Sequence, residues 1–235
     1  MQPITDPIVA ASHPHKYLGI FGMLWVTFLI IAMFTAPKTF SIGSTVFTIS
    51  ILAYPLTYIF ADIFTEVYGY RVTRRIVWTG FACVMIASIV TYLYSLIPPS
   101  ASYPDNDAFR LIFKASPIIA IATVLAFFGG ELTNSYVLAK MKVYMNGTRL
   151  WTRLIISTLA GQFVDNTTFF LFAFLAAGFY QVNELLPLVL SSVAFCTLWE
   201  TLMLPVTYRV IAWIKKKEGL DTYDKGTNFN PFSLR

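Results

Sequence analysis

Apolar residues run continuously over six stretches, each close to the roughly 20 residues that a helix needs to cross a hydrocarbon core of about 30 Å. The stretches are Tyr17 to Ala36, Gly43 to about Tyr68, Val72 to Ile97, Ser116 to Ala139, Leu154 to Phe179, and Leu185 to Ile214. The pattern predicts an all-α membrane protein, a bundle of six transmembrane helices over residues 17–214, between an N-terminal segment 1–16 and a tail 215–235. The last span has enough length to tilt or to finish as an interfacial turn. An outer-membrane barrel would alternate in runs of about ten residues, and the chain has no such runs. Span 1 is expected to stay uncleaved. Mostly polar residues precede it, its apolar stretch is too long for a signal peptide, and no small-x-small site follows promptly.

Lys and Arg set the expected orientation. Lys16 precedes span 1, Arg71, Arg74 and Arg75 separate spans 2 and 3, and Lys140, Lys142, Arg149 and Arg153 separate spans 4 and 5. Arg209, Lys215, Lys216, Lys217, Lys225 and Arg235 close the chain, whereas only Lys38, Arg110 and Lys114 fall on the other side. Both termini are therefore predicted to be cytoplasmic. The turn-rich linker from Pro98 to Asp107 is then the longest external loop, and the tail from Glu218 is a polar extension with no room for a soluble domain.

Composition agrees. Of the 235 residues 57% are hydrophobic and 12% charged, with 21 Phe and 13 Tyr, against about a quarter charged in soluble domains. A disordered chain, an ordinary cytosolic enzyme and a disulfide-stapled secreted module are excluded. The net charge of +5 comes from cations at span ends, so a nucleic-acid partner is not expected. Cys83 and Cys196 lie inside apolar runs and read as buried, inert thiols. His13 and His15 sit in the polar N-terminal segment, and no Walker loop, Cys/His metal set or Ser/His/Asp arrangement stands out. No cofactor or metal is expected.

Ionisable groups inside a membrane cost at least a few kcal/mol each and usually face a bundle interior. Span 2 carries Asp62 and Glu66, span 4 Glu131 and Asn134, span 5 Gln162, Asp165 and Asn166, and span 6 Glu200. Spacings of three or four residues put each group on one helical face, with Tyr58 beside Asp62, Phe127 beside Glu131, Phe169 beside Asn166, and Cys196 and Trp199 beside Glu200. Asp62, Glu131 and Glu200 each precede a basic residue by nine positions, and Gln162 follows Arg153 by nine. That is about 13–14 Å of helix, close to the midplane. One level on four helices predicts the walls of a shared polar cavity. For single residues the competing role is interhelical glue, about 0.6 kcal/mol each, and for Asp62 and Glu66 an ion pair with Arg71, Arg74 or Arg75. Asp62, Glu131 and Glu200 also recur every 69 residues, which hints at a threefold hairpin repeat that identity elsewhere does not support. Gly129-Gly130 would either break span 4 or pack helices closely, and Pro55, Pro187 and Pro205 would kink their spans. Asn146-Gly147 marks a turn.

Ionised carboxylates only accept hydrogen bonds, so they suit a ligand with adjacent N–H donors, such as the N1–H and amine edge of a guanine-like ring. Gln and Asn answer a ring carbonyl, and aromatic side chains stack on a planar face. Composition alone leaves a nucleobase, a planar vitamin and a proton-coupled amine open.

Four stretches narrow this. Phe60-Ala-Asp62-Ile-Phe-Thr-Glu66-Val-Tyr-Gly69-Tyr-Arg71 with Arg74-Arg75, then Gly130-Glu131-Leu-Thr-Asn134-Ser135, come first in order. Trp151-Thr-Arg153 with Ser157-Thr-Leu-Ala-Gly161-Gln162-Phe-Val-Asp165, and Glu200 followed by Pro205-Val-Thr-Tyr208, complete the set. Together they resemble the queuosine-precursor transporter family, also called the vitamin-uptake-transporter-like family of bacterial inner-membrane proteins, over about residues 17–218. One departure is Cys196, where the family pattern carries a Lys one turn before the last Glu; this leaves charge balance and coupling open. The resemblance implies import of 7-cyano-7-deazaguanine and 7-aminomethyl-7-deazaguanine for queuosine salvage in tRNA. The expected polar cavity suits such a ring, with Glu131 and Asp165 assigned to its amine and N1–H edge and Gln162, Asn134 and Asn166 to orientation. Asp62, Glu66 and Glu200 would line the path or carry a coupling proton, and Arg153 would pair with a carboxylate. Trp199 and Phe169 join the expected substrate-binding set. The small size suggests a homodimer in the lipid bilayer.

Two alternatives come from other classes. A substrate-binding subunit of an energy-coupling-factor vitamin importer needs a small-residue docking face, for which span 1 offers only Gly19 and Gly22. An intramembrane enzyme would use paired carboxylates as acid and base.

Overall fold

The computed structural model describes residues 3–35, 38–42, 45–113, 117–172 and 182–233. A short helix α1 (Pro7–Ser12) leads into α2 (Leu18–Thr35), a hairpin of β1 (Thr39–Ile42) and β2 (Thr45–Thr48), and a 3-10 turn Ile49–Leu52. Then come α3 (Tyr54–Tyr68), α4 (Tyr70–Ser95), α5 (Asn106–Phe113), α6 (Pro117–Tyr144), α7 (Leu150–Phe170) and α8 (Val182–Glu218). Of the positions singled out from sequence, Gly43, Lys114, Ser116, Arg235 and the end of the fifth span at 173–179 lie outside the described residues.

Four helical segments among the described residues have the length and apolarity to cross a membrane: Leu18–Thr35, Tyr70–Ser95, Ile121–Tyr144 and Val189–Glu218. Their outward faces are apolar and exposed, for example Met23 on α2, Ile86 and Ile89 on α4, and Leu198 and Leu202 on α8. Apolar surface of that extent suits lipid, not water. Helix α3 is of a different kind. Its 15 residues reach only about 22 Å, and 12 of them are buried against α2, α4, α6 and α8. It is the polar-bearing axis that the apolar helices enclose, and α7, which carries Arg153 and Asp165, packs beside it on α6 and α8.

The second predicted span is thus corrected. Residues 39–42 and 45–48 pair as antiparallel strands, Thr39 opposite Thr48 and Ile42 opposite Thr45. The run is apolar enough for a helix, but its Thr, Val and Ile positions are β-branched and favour extended backbone. Helix α3 starts only where Pro55 supplies a first turn. No loop separates α3 from α4 either. Gly69 (φ 83°) makes the break alone, because a Cβ there would meet Thr222 Cγ2 at 2.6 Å. Arg71, Arg74 and Arg75 accordingly belong to the first turns of α4. Helix α8 runs through both Pro187 and Pro205.

The tail is a strap. Ile4 and Leu220 form a parallel bridge, so both chain ends meet at one end of the bundle. Glu218 accepts from the backbone N–H of Lys16 and Tyr17 and from the Tyr68 hydroxyl at 2.8 Å. The Thr222 hydroxyl donates to the Val67 carbonyl at 2.9 Å, and Asp224 accepts from the Tyr70 N–H at 2.9 Å. Arg74 donates to the carbonyls of Asn228 and Asn230, and the Trp78 indole to that of Pro231. Burial pushes the Asp221 carboxyl up, but Lys142 and Lys215 more than reverse this and hold it below the usual aspartate range. Its tethering is therefore present at neutral pH and is lost as pH falls through that depressed value. For Asp221→Asn we expect trypsin to cleave after Lys225 several-fold faster in membrane vesicles, in line with about 1 kcal/mol for a partly exposed charged pair. An unchanged cleavage rate would remove Asp221 from the tether.

Candidate functional site

Two polar layers stack along α3. The inner one forms where Asp62, Glu131, Asp165 and Glu200 come together from α3, α6, α7 and α8, each at most 6% exposed. Asp62 accepts at Oδ1 from the Asn134 amide at 2.8 Å. Glu131 Oε1 sits 3.5 Å from the Thr57 hydroxyl, and the Tyr54 hydroxyl bonds Asp165. Glu131 lies within electrostatic reach of Asp165, and Glu200 of Asp62 and Thr158. The remaining oxygens do not find partners. Asp62 Oδ2, Glu131 Oε2, both oxygens of Glu200, the hydroxyls of Tyr58 and Thr158 and the amide nitrogen of Gln162 are buried without hydrogen-bonding geometry to any described group. Buried polar groups are rarely left so, and a concentration of them in one layer is the signature of a place where something else binds.

A close helix crossing builds this layer. A Cβ added to Gly130 would lie 2.6 Å from Asp165 Cβ, and one on Gly161 2.8 Å from Asn134 Cβ and 2.9 Å from the Gly130 carbonyl. Helix α6 is continuous there. Of the two sequence readings for Gly129-Gly130, close packing describes Gly130.

The outer layer is ionic. Arg153 grips Glu66 through Nη1 at 2.5 Å and Nη2 at 3.3 Å, and Lys215 reaches the same carboxylate at 2.7 Å. Lys142 lies 3.3 Å from it and donates to the Glu66 backbone carbonyl at 2.6 Å. Asp221 closes the cluster at 2.6 Å from Lys142 and 2.8 Å from Lys215. Arg153 also ties the α6–α7 turn by donating to the carbonyls of Gly147 and Thr148. That turn needs left-handed backbone at Asn146, Gly147 and Arg149.

Of the residues named from sequence, Asp62, Glu131, Asn134, Asp165 and Glu200 share the inner layer. Glu66 and Arg153 are in the outer one, where Glu66 meets Arg153, Lys142 and Lys215 and not Arg71, Arg74 or Arg75. Gln162 accepts from the Asn166 amide at 3.0 Å on the same helix. Phe169 packs on Phe170 at 5.7 Å, and Trp199 is half-buried with its indole N–H unpaired. Sequence reasoning missed Tyr54, Thr57, Thr158 and Lys142. Tyr54 carried a usable signal, two helical turns before Asp62 on the same face. No three potential metal ligands cluster among the described residues. Away from the layers, a groove of about 470 Å³ opens between Phe21, Arg209, Val210 and Trp213.

With that geometry in view, a family profile described as "Putative vitamin uptake transporter" matches residues 48–210. The chain is 26% identical over 207 residues to a Bacillus subtilis (strain 168) protein called "Probable queuosine precursor transporter". The alignment covers 87% of this chain and 90% of that relative. No solved structure matches.

Proposed function

We propose a cargo on the premise that this chain belongs to the putative vitamin uptake transporter family. It is a multi-pass membrane transport protein, in bacteria one of the inner membrane, and not an enzyme. The proposed cargo is a queuosine precursor, 7-cyano-7-deazaguanine or 7-aminomethyl-7-deazaguanine, imported for tRNA queuosine salvage. The name of the Bacillus subtilis relative supports it. So does the inner layer, whose open carboxylate oxygens suit the N1–H and amine edge of such a ring. That unsatisfied layer is the observation that carries the reading.

In this proposal Glu131 and Asp165 take the N–H edge, Asn134, Gln162 and Asn166 orient the ring, and Tyr58, Trp199 and Phe169 offer aromatic faces. Helix α7, and α3 together with the hairpin and turn before it, complete six crossings with the four apolar spans, and the end bearing both termini faces the cytoplasm, where cations concentrate. Glu66 and Arg153 then close the cytoplasmic side of the path instead of touching the ring. A binding subunit of an energy-coupling-factor importer is not favoured, because the relative is called a transporter.

Uptake of the two labelled precursors into proteoliposomes, with no ATPase present, tests this. Wild type is expected to accumulate them, and Glu131→Gln and Asp165→Asn to lose at least about 90% of the rate, on the scale of a lost charged hydrogen bond of about 1.5–3 kcal/mol. Undiminished uptake by either variant would remove that residue from the ring site, and no uptake by wild type would remove the cargo.

A further inference from the structure

The four inner carboxylates are not equally served by the chain around them. Asp165 has the Tyr54 hydroxyl and Glu131 the Thr57 hydroxyl. Glu200 and Asp62 face each other, with the Asn134 amide donating to Asp62 Oδ1 and the Thr158 hydroxyl turned toward Glu200. Three oxygens stay open, Glu200 Oε1 and Oε2 and Asp62 Oδ2, on side chains 2% and 0% exposed. Among the described residues, no Lys or Arg forms an ion pair with either carboxylate. Lys142, Arg153 and Lys215 are all engaged in the outer cluster on Glu66 and Asp221. Beside the open oxygens, the buried amide nitrogen of Gln162 is also unpaired.

Two carboxylates facing each other away from water repel unless a positive charge stands between them. An alkylammonium group is a compact charge with three N–H donors, one for each open oxygen. We propose that the Asp62–Glu200 pair seats a positive charge on the cargo, so that the transporter selects the cationic aminomethyl precursor over the neutral cyano one. This rests on the deazaguanine reading above and adds the charge of the ligand to it. Glu131 and Asp165 hold the ring edge, and the ammonium arm extends to α8. A nitrile has no N–H to offer and leaves the three oxygens as they are.

Equilibrium binding of 7-aminomethyl-7-deazaguanine and 7-cyano-7-deazaguanine to the purified full chain decides it. Wild type should bind the aminomethyl compound at least tenfold tighter. Glu200→Gln, or Asp62→Asn should the first variant fold poorly, should bring the ratio of the two affinities to within about twofold. Equal affinities in wild type would overturn the proposal and leave the deazaguanine cargo standing, with a proton as the charge between the carboxylates. A preference unchanged in both variants would also overturn it, by placing the charge elsewhere. Binding of neither compound would overturn the cargo and the charge preference together.

Discussion

Glu66→Gln is expected to lower the thermal midpoint of the detergent-purified protein by about 10 °C. The substitution keeps the shape of the side chain and deletes one charge. Glu66 is the single carboxylate shared by Arg153, Lys142 and Lys215, and both it and Arg153 are 1% exposed. Without it Arg153 retains only the carbonyls of Gly147 and Thr148, while Lys142 and Lys215 crowd onto Asp221. Leaving a buried charge unpaired costs about 3–5 kcal/mol, whereas removing both members of a pair is often near neutral. At about 2–4 °C per kcal/mol for a chain of this size, the drop follows. Glu66→Gln combined with Arg153→Gln should therefore recover part of the loss. A single variant within about 2 °C of wild type would show that water already screens the cluster, and a double variant worse than the single would show that Arg153 acts through the turn it ties.

The same cluster marks what the sequence could and could not convey. That Glu66 was an interior group followed from charge within an apolar run, whereas Arg153 was placed at the span end and expected only to pair with a carboxylate. Their partners did not follow, because Lys142 lies eleven residues after Glu131 near the end of α6, and Asp221 lies in a tail without periodicity. Tail docking depends on backbone carbonyls such as those of Val67, Asn228 and Asn230, which carry no residue identity. The first, third, fourth and sixth spans were legible from run length alone, with helix ends within about five residues. The second was misjudged, since run length does not weigh the β-branching that makes 39–42 and 45–48 paired strands. Within the inner layer the common level of Asp62, Glu131 and Glu200 was readable from distance to the nearest cation. The hydroxyls of Thr57 and Thr158 were not, because Thr is an ordinary residue in any membrane helix; Tyr54 could have been found from its place two turns before Asp62.

Gly161→Val is expected to abolish folded protein, and Gly130→Val to do the same, while Gly129→Ala is tolerated. The three glycines look alike in sequence, two of them adjacent, and differ only in what faces them. At Gly161 the first added carbon already meets Asn134 Cβ at 2.8 Å, the Gly130 carbonyl at 2.9 Å and the Tyr58 ring at 3.0 Å. Two of these contacts are a backbone oxygen and the root of a side chain, neither of which can swing aside. Relief requires α6 and α7 to move apart, and each carries a member of the inner layer, Glu131 and Asp165. Overpacking costs about 1–3 kcal/mol for added methylenes in a tight core, and a β-branched side chain at a backbone contact belongs at or above the top of that range. The gain of about 1 kcal/mol from replacing helical glycine does not offset it. At Gly129 the nearest atom is Val164 Cγ1 at 3.4 Å, an ordinary contact, so alanine keeps that gain. Monodisperse yield on size exclusion of the three variants reads the difference. Normal yield and uptake in Gly161→Val would mean that the two helices need not touch for the carboxylates to converge, and the geometry of the inner layer would then have another origin.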